Sequence, residues 1–411
     1  MPARVHLEVV AGPIQGRRFD FEAHDTFVFG RAPDCHAELS EQDGTASRHH
    51  FLLEVNPPAA RLRDLGSLNG TWVNGTRHGG RGKLTLEEAG RKRWPEVDLH
   101  DGDQVRVGTT VFAVRIEGEA VGSYAAAAVS GSAAEPPPRQ VAGYEVGRLL
   151  GRGGMGAVYE ARRPPDGPTV ALKLLRPEVV MDQHARDVFL REIEITARLR
   201  HPNIVTLLEH GSEGDFFFFA MEYCAGGSLA ALLLQRPEPL PPAAALRVAL
   251  LALDGLAAAH GQGYVHRDVK PENILLAEGL EGAVKVTDFG LAKSFQQAGL
   301  SGMTATGAVG GTLHFMPREQ LTGFRLLRPA GDVWSMGATL YHMLTLSYPR
   351  DFVPELDPLQ VILAGSLVPL RERDPSLPAS LAAVVDRAVA DDLAVRYPSA
   401  AEFRDALRDA L

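Results

Sequence analysis

Cysteine is nearly missing. The 411 residues hold two, Cys35 and Cys224, far apart and in no metal-ligand spacing. That argues against a disulfide framework and fits a reducing compartment. Basic excess is missing as well: 42 Lys and Arg stand against 51 Asp and Glu, for a formal net charge of -9. Composition therefore gives no reason to expect nucleic acid or an anionic membrane as a partner. Met1 to Val10 lacks the long apolar run of a secretion signal. The longest apolar stretch, around Ala243 to Ala259, is interrupted by Arg247 and Asp254, which predicts a buried helix rather than a membrane span. The expected location is the cytoplasm. What is present is ordinary for a globular protein, 45% hydrophobic and 23% charged. The length exceeds one ordinary core and predicts two or three domains.

Residues 1–118 read as short strands separated by turns. Val5, Leu7 and Val9 alternate with polar neighbours, as do Phe27 and Phe29, then Phe51, Leu53 and Val55. Gly12-Pro13, Asn69-Gly70, Asn74-Gly75 and Asp101-Gly102 punctuate them. Period-2 alternation with such turns predicts an all-β sandwich, with a long polar loop over Arg77 to Asp98. Residues 119–142 are rich in Ser, Ala and Gly and contain Pro136-Pro137-Pro138. They read as a flexible linker, with a helix through Ala125 to Ala128 as the alternative. From Tyr144 strands return, at Tyr144 to Leu150, Ala157 to Arg162 and Thr169 to Leu174. A helix is expected from about Ala185 to Leu199, two more strands after His201, and helices beyond Gly227. Residues 143–411 thus predict a small β-rich lobe followed by a larger helical one.

Gly151-Arg-Gly153-Gly-Met-Gly156 sits between two strands. Glycines let backbone amides approach phosphate oxygens. A strand follows rather than a helix, which favours a hairpin lid over nucleotide phosphates to a dinucleotide-binding turn. Val170-Ala-Leu-Lys173 puts a lysine on the third strand, where it can hold phosphates. Its anionic partner is expected to be Glu192, with Glu194 as the competitor. In His266-Arg-Asp268-Val-Lys270-Pro-Glu-Asn273, Asp268 can accept a hydroxyl proton, Lys270 can neutralise a γ-phosphate, and Asn273 can bind a metal ion. Asp288-Phe-Gly290 supplies a second metal ligand. Phosphoryl transfer needs positioning and charge neutralisation, which these residue types deliver.

In these strings, together with Asp332-Val-Trp-Ser-Met-Gly337 and Arg396, residues 144–411 resemble the Hanks-type protein kinases, in particular the bacterial serine/threonine kinases. The resemblance implies an α+β bilobal fold and ATP with Mg²⁺ or Mn²⁺. It implies nucleotide contacts from Gly151, Gly153, Gly156, Val158, Ala171 and Lys173, a gatekeeper at Met221, and hinge backbone from Glu222 and Cys224. Lys270, two residues past Asp268, resembles the serine/threonine class. Thr304 and Thr306 resemble activation-segment autophosphorylation sites, which Arg267 could pair with, and Thr312 a residue that hydrogen-bonds Asp268 and Lys270. One departure stands out: Pro317-Arg318-Glu319 replaces Ala-Pro-Glu, placing a charge beside the peptide-docking surface. Glu319 is expected to pair with Arg396.

The β-rich segment carries Gly30-Arg31, Ser47-Arg48-His-His50, Ser67-Leu68-Asn69-Gly-Thr71, Val73-Asn74-Gly75 and Asp101-Gly-Asp103. In these it resembles the forkhead-associated family, which binds phosphothreonine peptides. The resemblance implies phosphate contacts from Arg31 and Ser47, Arg48 beside them, and peptide contacts from Asn69 and Asn74. A guanidinium, a hydroxyl and loop amides form a dianion trap. Leu68 stands where some relatives carry a hydroxyl. His50 resembles a structural histidine, with a metal-binding pair with His49 as the alternative. The expected function is that of a non-specific serine/threonine protein kinase, autophosphorylating on its activation segment. Its partners would be protein substrates, phosphothreonine-containing proteins or a second kinase molecule, with no nucleic acid and no membrane. The alternative is a catalytically weak scaffold acting through phosphopeptide binding.

Overall fold

The structure is a computed structural model. It describes the whole chain except residues 1–2, 23, 42, 86–87, 89–91, 93, 119–138, 154–155, 176–192, 194–196, 214–215, 290–311, 324–327, 354–355 and 411. The chain divides into two compact units. The first comprises residues 1–128, 302–327 and 350–367, and the second residues 129–301, 328–349 and 368–411.

In the first unit, β1 (Arg4–Ala11), β2 (Arg18–Phe21), β3 (Asp25–Gly30), β4 (Ala37–Glu38), β5 (Phe51–Asn56) and β6 (Ala59–Asp64) are followed by β7 (Thr71–Val73), β8 (Thr76–His78), β9 (Glu96–Leu99), β10 (Gln104–Val107) and β11 (Thr110–Glu117). They form two sheets, ordered β2-β1-β11-β10-β7-β8 and β4-β3-β5-β6-β9. The alternation read from the sequence is what faces them together. Val5, Leu7, Phe112 and Val114 of one sheet and Phe29, Phe51 and Leu53 of the other are all fully buried in one core. Phe29 stacks on Phe51 with ring centres 4.5 Å apart, and Phe112 meets Phe29 edge-on at 5.7 Å. The loop expected over Arg77 to Asp98 is shorter than that. Its ends are β8 and β9, each too brief to register as alternation.

The second unit opens with β12 (Gln140–Val141), so the expected linker ends in a short strand rather than in coil. Then come β13 (Tyr144–Gly153), β14 (Gly156–Arg162), β15 (Thr169–Leu175), β16 (Leu207–Glu213) and β17 (Phe216–Glu222), in the antiparallel order β12-β13-β14-β15-β17-β16. Residues 119–138 of the expected linker and most of the helix expected over Ala185 to Leu199, Glu192 included, lie outside the described residues. Short helix α1 (Leu229–Leu234) precedes α2 (Pro242–His260), and β18 (Ile274–Leu276) pairs with β19 (Val284–Val286). The first unit then contributes α3 (Arg318–Gly323), the second α4 (Pro329–Thr345), the first α5 (Pro358–Ala364), and the second α6 (Leu370–Arg373), α7 (Ala379–Ala388) and α8 (Ala400–Asp409).

Helix α2 is the apolar stretch singled out in the sequence. It is long and apolar enough to cross a membrane, yet Ala245, Ala249, Ala252, Leu253 and Leu256 are fully buried in the helical core. Its two charges have partners within the protein. Arg247 donates to the carbonyls of Leu280 and Glu281 at 2.6 and 2.7 Å, and Asp254 meets Arg404 of α8 at 3.0 Å.

Candidate functional site

The register of the second unit's sheet collects the nucleotide-binding candidates on one face. Val158 lies opposite Lys173 and Lys173 opposite Phe219, while Ala171 lies opposite Met221. Directly opposed residues share a face and alternate residues return to it, so Val158, Ala171, Lys173 and Met221 line one side. Tyr159, Leu172, Leu174 and Ala220 pack the other. Gly151 pairs with Val158, and Gly153 with Gly156. The glycines serve different ends. A Cβ on Gly156 would lie 2.2 Å from the Leu174 carbonyl oxygen, so glycine there permits strand packing, whereas the space above Gly151 is open. Met221, Phe219, Lys173 and Asp288 line a common cavity. Glu222 binds Lys285 at 2.9 Å. Cys224 is buried, and burial first, with Glu222 nearby, pushes its thiol up to about 11, so it stays neutral at pH 7.

The acidic and basic candidates meet below this sheet. Pairing of β18 with β19 sets Ile274 opposite Val286, and the Thr287 N–H donates to the Asn273 carbonyl at 2.9 Å. That brings the Asp268–Asn273 loop beside Asp288. Lys270 Nζ lies 2.9 Å from Asp268 Oδ2, and Asn273 Nδ2 donates to the same oxygen at 3.0 Å and to the Asp268 carbonyl at 2.7 Å. Lys173 Nζ reaches Asp288 Oδ2 at 2.7 Å. The described partner of Lys173 is thus the second metal-ligand candidate. Asn273 and Asp288 provide hard oxygen donors, the type that Mg²⁺ and Mn²⁺ take.

His266 ties the two loops together. Its Nε2 donates to the Thr287 carbonyl at 2.7 Å, and its Nδ1 accepts from the Asp268 N–H at 3.1 Å. Arg267 and Asp288 both adopt left-handed backbone, with φ of 70° and 64°. Such geometry costs on the order of 1 kcal/mol at a non-glycine residue and needs outside support. For Arg267 the support is Asp332, to which the sequence reading assigned no role. Its carboxylate accepts from the His266 N–H at 2.7 Å, the Arg267 N–H at 2.8 Å and His260 Nε2 at 2.8 Å. Burial alone would raise its pKa, but the His260 hydrogen bond and the neighbouring donors outweigh it and hold the group below its ordinary 3.8. Thr304 and Thr306 lie outside the described residues, as does the side chain of Thr312, whose backbone starts a short 3-10 helix, Thr312–Phe315. Arg396 is buried, and its guanidinium donates to the carbonyls of Ala330 and Ala390 at 3.0 and 2.7 Å.

In the first unit the phosphopeptide candidates gather on connecting loops. A Cβ on Gly30 would lie 2.0 Å from the Arg48 carbonyl oxygen, so only glycine lets the end of β3 reach that loop. The Arg31 N–H donates to the Ser47 carbonyl at 3.0 Å, and Arg31 Nε to the Ala46 carbonyl at 2.6 Å. Ser47 Oγ accepts from the Leu68 N–H at 2.9 Å, leaving its own O–H to donate. Asn69 Nδ2 donates to the Thr45 carbonyl at 2.7 Å. Arg31, Ser47 and Asn69 are therefore brought together, with Arg48 exposed next to Ser47.

Asn74 is differently placed. Its amide donates to Asp103 Oδ1 at 2.7 Å and accepts from the Gln104 N–H at 2.9 Å, so it pins a turn to β10. His50 is fully buried, its Nδ1 accepting from the Ser47 N–H at 2.9 Å and its Nε2 lying 3.3 Å from the Gly70 carbonyl, which fits the structural reading. His49 instead meets Asp34 at 3.0 Å. Two carboxylates the sequence reading passed over hold the loops. Asp64 accepts from Ser67 Oγ at 2.7 Å and Thr71 Oγ1 at 2.8 Å. Asp43 takes Thr109 Oγ1 at 2.8 Å and also the Thr45 hydroxyl; against the upward push of burial, these bonds hold its carboxyl down to about 2.

Comparison with known proteins bears on both sites. Residues 144–379 match the protein kinase domain and residues 27–108 the FHA domain. Serine/threonine-protein kinase PknJ of Mycobacterium tuberculosis is 37% identical over 276 residues, covering 66% of this chain and 46% of PknJ. Serine/threonine-protein kinase PknD of the same species is 36% identical over 273 residues, covering 65% of this chain and 40% of PknD. The chain thus spans less than half the length of these relatives. The crystal structure of the Mycobacterium tuberculosis PknI kinase domain aligns with a TM-score of 0.52 at 28% identity, covering 66% of this chain and 98% of that one.

Proposed function

The chain belongs to the protein kinase family, and from that premise we propose that it transfers the γ-phosphate of ATP to serine or threonine hydroxyls of proteins. The observation that carries the reading is the convergence of Lys270 and Asn273 on the Asp268 carboxylate, beside the Lys173–Asp288 pair. Asp268 accepts the proton of the attacking hydroxyl and orients its oxygen. Lys270 neutralises charge on the transferring group, and Lys173 supplies a cation for the α- and β-phosphates. Members of the family use ATP with a divalent metal; Asn273 and Asp288 would hold Mg²⁺ or Mn²⁺ here, and the bound ion would neutralise charge on the phosphate oxygens. Asp332 is a positioning residue, acting through the backbone of His266 and Arg267. Glu192 as the partner of Lys173, autophosphorylation on Thr304 and Thr306, and a Glu319–Arg396 pair belong to the same proposal.

The forkhead-associated module recruits phosphothreonine-containing proteins or a second kinase molecule through Arg31, Ser47, Arg48 and Asn69, with Asn74 shaping the site. A cytoplasmic location, without a membrane or nucleic-acid partner, accompanies this reading. It is supported by the burial of α2 in the helical core and the net negative charge. The test is transfer of label from [γ-³²P]ATP to a generic basic protein, comparing the parent with Asp268→Ala. Label on serine or threonine that disappears in the variant is expected; equal labelling by both would remove Asp268 from the mechanism.

A further inference from the structure

A sheet of a free β-sandwich packs one face inward and wets the other. The β3-β5-β6 sheet does not follow this rule. Val28 lies opposite Leu52, and Leu52 opposite Arg63, a row across three strands on the face turned away from the sandwich core. Their exposures are 0%, 1% and 5%. What covers them comes from the kinase half of the sequence. Val28 and Leu52 share an apolar cluster with Met316 and Leu321 and with Leu359, Ile362 and Leu363 of α5.

Polar contacts continue the same surface. Arg63 forms an ion pair with Asp357, and both side chains are nearly fully buried. Gln360 Nε2 donates to the Leu65 carbonyl at 3.1 Å. Arg318, the charge that departs from the Ala-Pro-Glu pattern, donates from Nε to the Ile362 carbonyl at 3.3 Å. It also adds to the field that holds the Asp34 carboxyl low, after the larger effect of the His49 hydrogen bond. The anomalous residue of the kinase sequence therefore lies where the sandwich is engaged.

We propose that the outer face of the β3-β5-β6 sheet is a permanent intramolecular docking surface for residues 313–322 and 356–363. The forkhead-associated module is then a fixed receptor on its own kinase sequence rather than one swinging on a linker. Permanence follows from chemistry. Separation would expose the apolar row and the buried face of α5 to water, the signature of an obligate interface. Docking leaves the recognition loops open: Arg48, Leu68 and Asn69 remain exposed. A phosphothreonine protein captured there is tethered through the docked face as well as through residues 119–138, which raises the effective concentration of its target hydroxyl over that of the single tether. This consequence rests on the recruitment reading above; the interface itself does not.

The experiment uses the full chain in five forms: parent, Arg63→Glu, Asp357→Arg, the combined charge reversal, and Leu363→Ser, which breaks the surface without a buried charge. Hydrogen exchange of residues 359–363 is measured at two protein concentrations tenfold apart. kcat/KM is measured for a phosphothreonine-bearing protein and for a short peptide lacking phosphothreonine. The single variants and Leu363→Ser are expected to speed exchange and lower kcat/KM about tenfold for the recruited protein only. The combined reversal is expected to restore both, and parent exchange to be the same at both concentrations. Unchanged exchange in all the variants would overturn the interface, and concentration-dependent exchange would assign the covering face to a second copy. Faster exchange with unchanged rates on the recruited protein would overturn the fixed-receptor role. Arg31→Ala separates the two ideas: if it spares the recruited protein, recruitment fails, and the exchange arm alone judges the interface.

Discussion

Replacing Asp332 with asparagine tests how the catalytic loop is held. Asp332 is 1% exposed and receives three hydrogen bonds, from His260 Nε2 and from the backbone N–H groups of His266 and Arg267. Asparagine keeps one acceptor oxygen and turns an NH₂ toward the remaining donors. At least one buried donor loses its partner, at about 1–3 kcal/mol, and the charge assistance of the others goes with it. A local loss of about 2 kcal/mol corresponds to roughly 30-fold faster amide exchange at His266 and Arg267. Arg267 no longer has support for its left-handed backbone. A shift of Asp268 by about 1 Å lowers kcat on the order of 100-fold.

The pH dependence has a definite sign. The folded-state pKa of Asp332 lies below its ordinary 3.8, so its contribution is present above the unfolded-state value and lost as pH falls through the folded one. The difference between parent and variant is therefore constant from neutral pH to about pH 4 and shrinks below it. Exchange at both amides within about threefold of the parent, with parental kcat, would refute the positioning role.

Three further outcomes are expected. Lys173→Met lowers autophosphorylation on the order of a thousandfold by removing the phosphate-binding cation, while circular dichroism stays parental; a loss under tenfold would refute the role. The Thr304→Ala, Thr306→Ala double variant has lower activity than the parent, which carries phosphate on one of these threonines; full activity with no phosphate on the segment would count against activation there. Arg31→Ala leaves kcat/KM for a small generic peptide nearly unchanged and lowers it for a recruited phosphothreonine protein. An equal loss on both substrates would mean that the module acts on catalysis directly.

The sequence made the chemistry legible because phosphoryl transfer needs particular residue types in particular short strings. Asp268, Lys270, Asn273 and Asp288 occur within 21 positions, and one strand pair, β18-β19, brings them together. That Val158, Ala171, Lys173 and Met221 share a face came from the strand register instead, since the sequence alone does not say which strands pair. Positioning groups were harder to see. Asp43 and Asp332 take hydroxyls and backbone amides 65 or 66 positions away, and no spacing in the chain announces such partners, whereas Asp64 bonds Ser67 and Thr71 only three and seven positions on, a local pattern that went unread. Asn74 illustrates the converse: its motif suggested a peptide contact, but its amide is engaged with Asp103 and Gln104. The docking face did leave a trace. Phe27 and Phe29, like Phe51 and Leu53, read as alternating with polar neighbours, but the intervening Val28 and Leu52 are apolar, so both faces of the sheet are apolar there.

On the proposed function, this chain phosphorylates serine and threonine through Asp268. Mass spectrometry of phosphosites, after parent and Asp268→Asn are incubated side by side with ATP and Mg²⁺, tests it most directly. Phosphoserine and phosphothreonine accumulating on the parent, with Thr304 or Thr306 among the sites and the variant at background, is the predicted result. The same sites filled to the same extent in both proteins, or phosphate on neither, would contradict it.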